Sequence, residues 1–68
     1  MEYVFVSFKE DRTVLADGKK LGQTNQTLLI EKGHHCFTLA GMQNYNPEKV
    51  DAVIEQTTVL SSYNVKFY

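Results

Sequence analysis

Residues 33 to 41, GHHCFTLAG, place His34, His35 and Cys36 in a row, three residues of types that bind metals and catalyse nucleophilic reactions. In a thiol enzyme, Cys36 would supply the nucleophile and His34 the base. In a zinc site, the same two side chains would supply two of four ligands. The geometry that decides between these chemistries depends on the element that carries the stretch.

The stretch from His34 to Leu39 is predicted to form a β-strand, ended by Ala40-Gly41. Side chains alternate across a strand, so His34 and Cys36 share one face and lie roughly 6.5–7 Å apart. Direct activation of a thiol needs about 2.6–3.2 Å, and no Asn or Asp that would orient the base is identifiable. We therefore expect no catalytic residue. A metal-dependent or thiol enzyme that uses His34 and Cys36 is the least favoured alternative.

The composition limits the chemistry further. A chain of 68 residues is a single domain, 1–68, with a thin core. Cys36 is the only cysteine, so neither an intrachain disulfide nor a Cys-rich zinc site is available. We expect no metal and no cofactor.

Charge and hydropathy argue against two classes of partner. The net charge is −1 and the basic residues are scattered, with Lys19-Lys20 the only adjacent pair, so we expect no nucleic-acid binding. No apolar run approaches the ~20 residues of a spanning helix, and residues 1 to 15 lack a signal-peptide pattern. We expect no membrane insertion, and the sequence leaves the localisation unknown.

The rest of the chain favours short strands separated by turns. Strands are predicted at residues 3–8, 13–16, 19–21, 27–30, 34–39 and 59–67, from aromatic and β-branched runs or from alternation. Asp17-Gly18 predicts a type I′ hairpin between the second and third of them, because Gly accepts positive φ without strain.

Residues 46 to 56, NPEKVDAVIEQ, fit two structures. Asn46 and Pro47 could begin a helix near 47–56, with Val50, Val53 and Ile54 on one face. Val50, Ala52 and Ile54 fit the alternation of a strand equally well. Residues 47–56 are therefore left as helix or strand.

The order of these motifs resembles a PEGA-type domain, a small β-sandwich module of mainly bacterial, often surface or envelope, proteins. The residues that match are Val14–Gly18, Gly22-Gln23-Thr24, Leu28, Ile30, Gly33-His34-His35, Phe37, Leu39 and Tyr45-Asn46-Pro47. The Pro-x-Gly-Ala motif is not kept, because Lys9-Glu10-Asp11-Arg12 stands in its place. The resemblance favours strand for residues 47–56 and implies a non-catalytic role with no common active site. It suggests surface or envelope association.

The predicted fold is all-β, a small antiparallel sandwich or partly open barrel of about six or seven short strands; the alternative is α+β with the 47–56 helix. The resemblance places His35 on the buried side, and so implies a packed, hydrogen-bonded residue at the entrance of a hairpin. The predicted inward residues are Tyr3, Phe5, Val14, Ala16, Leu28, Ile30, His35, Phe37, Leu39, Tyr63, Val65 and Phe67.

Strand alternation then turns a second apolar set outward, and these residues form a candidate interface: Val4, Val6, Phe8 and Leu15. The leading hypothesis is a non-catalytic interaction module that binds a protein partner, or a second copy of itself, through a sheet edge or an outer apolar face. The alternative is a glycan- or envelope-binding module, in which tyrosines stack on sugars.

Overall fold

The structure, a computed structural model that describes residues 1–68, is built from seven short strands and contains no helix. The strands are β1 (Glu2–Ser7), β2 (Thr13–Ala16), β3 (Lys19–Gln23), β4 (Thr27–Ile30), β5 (Gly33–Leu39), β6 (Val50–Ile54) and β7 (Tyr63–Lys66). They form a three-stranded sheet of order β4-β1-β7 and a four-stranded sheet of order β3-β2-β5-β6. The predicted all-β class is confirmed, and the sheets do not close into a barrel. No helix long and apolar enough to cross a membrane is found in the structure.

The segment left open between helix and strand forms β6. It pairs antiparallel with β5, and its alternation places Ala52 and Ile54 in the core while Asp51 and Val53 face solvent. Strand pairing decides this segment, because the apolar positions alone fit both structures.

The two sheets enclose one core. Phe37 and Ile54 are its largest fully buried side chains. Its thirteen buried hydrophobic residues are Val4, Val6, Phe8, Val14, Leu28, Ile30, Phe37, Leu39, Tyr45, Ala52, Ile54, Val65 and Phe67.

The predicted orientation of β1 is wrong. Val4, Val6 and Phe8 lie in the core, whereas Tyr3 and Phe5 are half-buried on the outer face. Nearly every position of YVFVSF is apolar, so alternation carries no signal for which face is inward. The neighbours decide instead, because β1 is the central strand of its sheet and its pairing sets the register.

The outward apolar cluster predicted from β1 and β2 therefore does not form. β1 and β2 lie in different sheets and are not a hairpin. Leu15 is half-buried and pairs with Thr38 of β5, on the face opposite to the core.

Strand β7 also differs from the prediction. It begins at Tyr63 rather than at residue 59, and it runs parallel to β1, so the sandwich is not wholly antiparallel. Residues 58–61 instead form a turn in which Thr58 and Ser61 exchange two backbone hydrogen bonds. Tyr63, predicted to point inward, is 39% exposed.

The predicted turn between β2 and β3 is confirmed. Asp17 and Gly18 have φ values of 54° and 82°, both positive as a type I′ turn requires. Strands β2 and β3 pair antiparallel, with an irregularity between Val14 and Leu15.

Candidate functional site

The three residues of the opening motif divide between the faces of β5 as alternation predicts. His34 is exposed on the outer face, where its Nε2 lies 3.9 Å from Oδ1 of Asp51. Burial, together with a hydrogen bond to Asp51, raises the pKa of the Cys36 thiol. A nucleophilic cysteine needs a lowered pKa, so this environment opposes thiol catalysis. No group of three or more His, Cys, Asp or Glu side chains is arranged to hold a metal ion.

His35 lies on the inner face at the end of the sandwich and is hydrogen-bonded through both ring nitrogens. Its Nδ1 lies 2.8 Å from Oδ2 of Asp17, and its Nε2 lies 2.7 Å from the carbonyl oxygen of Glu31. Both partners are acceptors, so the doubly protonated imidazolium satisfies both of them. The bond to Asp17 accordingly raises the pKa of His35. The prediction of a packed, hydrogen-bonded histidine is confirmed.

Asp17 connects this histidine to the β2–β3 turn. Its Oδ2 bonds His35, and its Oδ1 accepts a hydrogen bond from the backbone N–H of Cys36 at 3.0 Å. These two bonds lower the pKa of the Asp17 carboxyl, the one from His35 having the larger effect. Asp17 thus ties the turn to β5 through both of its carboxylate oxygens.

A cleft of about 360 Å³ opens beside this cluster, where β3 of one sheet faces β4 of the other. We call it the edge cleft. Its apolar lining residues are Met1, Ala16, Leu21, Leu29 and Ile30, and its polar lining residues are Asp17, Lys19, Lys20, Glu31 and His35. A concave site with an apolar lining and a few polar groups is the usual form of a binding site.

The four edge strands differ in how they are protected against pairing with another chain. A charged side chain on an edge strand discourages such pairing. Strand β3 carries Lys19 and Lys20, β6 carries Asp51 and β7 carries Lys66. Strand β4, with the sequence TLLI, is the one edge strand without a charge, and it borders the edge cleft.

The hydrogen bonds of β1 show which of its backbone groups point toward β4. The carbonyl oxygen of Val6 accepts a bond from the N–H of Asn25, just before β4. The N–H of Tyr3 points the other way, toward Oγ1 of Thr57. The backbone groups of alternate residues in an antiparallel strand face opposite neighbours. The N–H and C=O of Val4 therefore point toward β4, as those of Val6 do.

The free edge of β4 follows from this register. Val4 pairs with Leu28, and Glu2, two residues before Val4, pairs with Ile30. Leu28 and Ile30 therefore direct their backbone groups to β1. The N–H and C=O groups of Thr27 and Leu29 consequently point away from the sheet. Leu29 is also 52% exposed, so both its backbone and its side chain are accessible at this edge.

The sequence did not reveal a second polar cluster, formed around Arg12. Its guanidinium donates hydrogen bonds to the carbonyl oxygens of Ala40 and Met42 and to Oδ1 of Asn44. The side chain is only 14% exposed. Arg12 therefore fastens the loop after β5, a structural role that no spacing in the sequence indicates.

Comparison of the chain with models of known families, with curated proteins and with solved structures finds no match.

Proposed function

We propose that this protein is a non-catalytic interaction module that captures an extended segment of another protein on the free edge of β4. Strand addition uses the backbone N–H and C=O groups of an exposed edge for affinity, and neighbouring pockets for selectivity. The observation that carries this proposal is the coincidence of an uncharged edge strand with the edge cleft.

The surroundings of β4 suit an added strand on both of its faces. Side chains on one face of that strand would enter the edge cleft beside Leu21 and Ile30. Those on the other face would continue an outer row in which Tyr3 pairs with Leu29. An incoming strand therefore finds apolar surface on each side, besides the free backbone groups of Thr27 and Leu29.

The resemblance to PEGA-type domains supports the same role, since that family has no common active site. The raised pKa of Cys36 agrees with it, because a protonated thiol is a poor nucleophile.

The substitution Leu29→Pro tests the proposal at one atom. It removes an N–H that points away from β1, and proline is tolerated on an edge strand where the N–H faces solvent. The ladder between β1 and β4 should remain, but an added strand loses a hydrogen bond and meets the proline ring.

A matched control lies on the opposite edge of the other sheet. The backbone N–H and C=O of Cys36 face β2, where they bond Asp17. The backbone groups of His35, the preceding residue, therefore face β6 and bond Ala52. Val53 therefore points its N–H to solvent, and it is 56% exposed, close to the exposure of Leu29. Val53→Pro repeats the same change at an edge that carries no cleft.

The experiment is selection from a library of short random peptides on the immobilised protein, with binding sites mapped by amide NMR shifts. We expect selected peptides to shift the amides of Thr27 and Leu29, to lose at least about tenfold in affinity with Leu29→Pro, and to bind Val53→Pro as they bind the wild type. Circular dichroism checks that both variants are folded. Failure to select any peptide, or equal binding to Leu29→Pro, would overturn the proposal.

A further inference from the structure

The edge cleft carries a charge that is not neutralised. Asp17 and His35 compensate each other through their 2.8 Å contact. Lys19 and Lys20 are exposed and take part in none of the ion pairs of the protein. Glu31 is the one remaining carboxylate of the lining, so the lining residues include two lysines and one carboxylate that take part in no ion pair.

Lys19 is the cation best placed to meet a strand on β4. It pairs with Ala16, whose side chain lines the cleft and packs against the core. Residues that pair directly across two strands project from the same face of a sheet, so Lys19 projects toward the space between the sheets. Lys20 also borders the cleft, but it pairs with Leu15, so its side chain starts from the opposite face of β3.

We propose that the segment captured on β4 carries an acidic side chain that pairs with Lys19 across the edge cleft, beside apolar residues that fill the cleft. This inference rests on the proposed function, because it names the chemistry of the strand that β4 would accept. A Lys stem can lie along the apolar lining while its ammonium meets a carboxylate at the rim. Basic segments are disfavoured at the same site by like-charge repulsion.

The two lysines of β3 thereby serve a second purpose. As charges on an edge strand they keep β3 from pairing with other chains. They also direct an incoming acidic segment to the neighbouring uncharged edge, which explains why one edge of the cleft is protected and the other is not.

The test compares peptide pools selected on three proteins: the wild type, Lys19→Glu and Lys49→Glu. Lys49 is an exposed lysine next to β6, on the far edge of the same sheet, and its substitution changes the net charge by the same amount. We expect Asp and Glu to be enriched beside apolar residues in the wild-type and Lys49→Glu pools. The Lys19→Glu pool should lose this enrichment and gain Lys or Arg.

Affinities of individual peptides give the size of the effect. By fluorescence anisotropy, a selected acidic peptide should bind Lys19→Glu at least about fivefold more weakly than it binds the wild type, and added salt should narrow this difference. A wild-type pool without acidic enrichment, or one that Lys19→Glu leaves unchanged, would overturn the inference. If the selected peptides then still bind Leu29→Pro more weakly than the wild type, strand capture on β4 stands without the acidic preference. If the wild type selects no peptide at all, both the proposed function and this inference are overturned.

Discussion

His35 is held by two acceptors, and its protonation therefore bears on the stability of the fold. Its pKa is raised above the ordinary value of 6.5, so its contribution is complete below that value and is lost as the pH rises through the folded-state pKa. The pKa of Asp17 is lowered from 3.8, so its contribution is present above that value and is lost as the pH falls through the folded-state pKa. Together they should stabilise the protein most between about pH 4 and pH 6.5.

Urea unfolding measured across the pH range tests this directly. The unfolding midpoint of the wild type should fall as the pH rises from 6.5 through the folded-state pKa of His35, and His35→Gln should flatten that decline. His34→Gln is the matched control, since it removes the exposed neighbouring imidazole and should leave the pH profile close to that of the wild type. An identical profile for His35→Gln and the wild type would contradict the assigned role of the Asp17 pair.

At the scale of elements, the guanidinium of Arg12 holds the loop after β5 in place. The planar guanidinium of Arg12 donates to the carbonyls of Ala40 and Met42, and its Cζ lies 5.8 Å from the ring centroid of Phe8. A lysine keeps the charge but cannot form these bonds together. The loop after β5 then loses its attachment to the segment before β2.

We expect Arg12→Lys to lower the free energy of unfolding by about 1–3 kcal/mol, because the half-buried carbonyl of Ala40 and the exposed carbonyl of Met42 lose their charged donors. Chemical denaturation measures the change. Glu10→Gln serves as the control: it removes only the 3.3 Å ion pair between Glu10 and Arg12, whose carboxylate side is 51% exposed, and should cost less than about 1 kcal/mol. Equal effects of the two substitutions would mean that the ion pair, and not the carbonyl contacts, fixes the loop.

At the scale of the whole molecule, the orientation of β1 decides which residues form the core. Val6 is completely buried between the sheets, whereas Phe5 is half-buried on the outer face. An unpaired carboxylate in the core costs several kcal/mol, which is comparable to the whole stability of a domain this small. Val6→Asp should therefore unfold the protein.

Phe5→Asp is the matched substitution on the other face of the same strand. It lies beside Thr27 and Asn64, so a carboxylate there keeps contact with water and polar groups. We expect its circular dichroism spectrum and cooperative thermal melt to remain those of a folded β protein. If Phe5→Asp unfolded while Val6→Asp stayed folded, the register of β1 would be the reverse of the one described.

The sequence by itself determined the features that depend on neighbouring residues. Asp17-Gly18 specified a turn with two positive φ values, and alternation along β5 separated His35 from His34. Local sterics and the two-residue repeat of a strand are enough for such predictions. The same signals predicted most of the strands, whereas the packed His35 was implied by the resemblance to PEGA-type domains.

Tertiary structure alone decided the rest, for a physical reason that is visible in β1. A strand that is apolar on both faces has no preferred side until it acquires neighbours, and those neighbours are β4, about twenty residues away, and β7 near the end of the chain. Likewise, the edge cleft depends on how β3 and β4, which belong to different sheets, lie against each other. The outward groups of Leu29 depend on the same long-range register, so no local pattern in TLLI could have distinguished this free edge from a strand in the middle of a sheet.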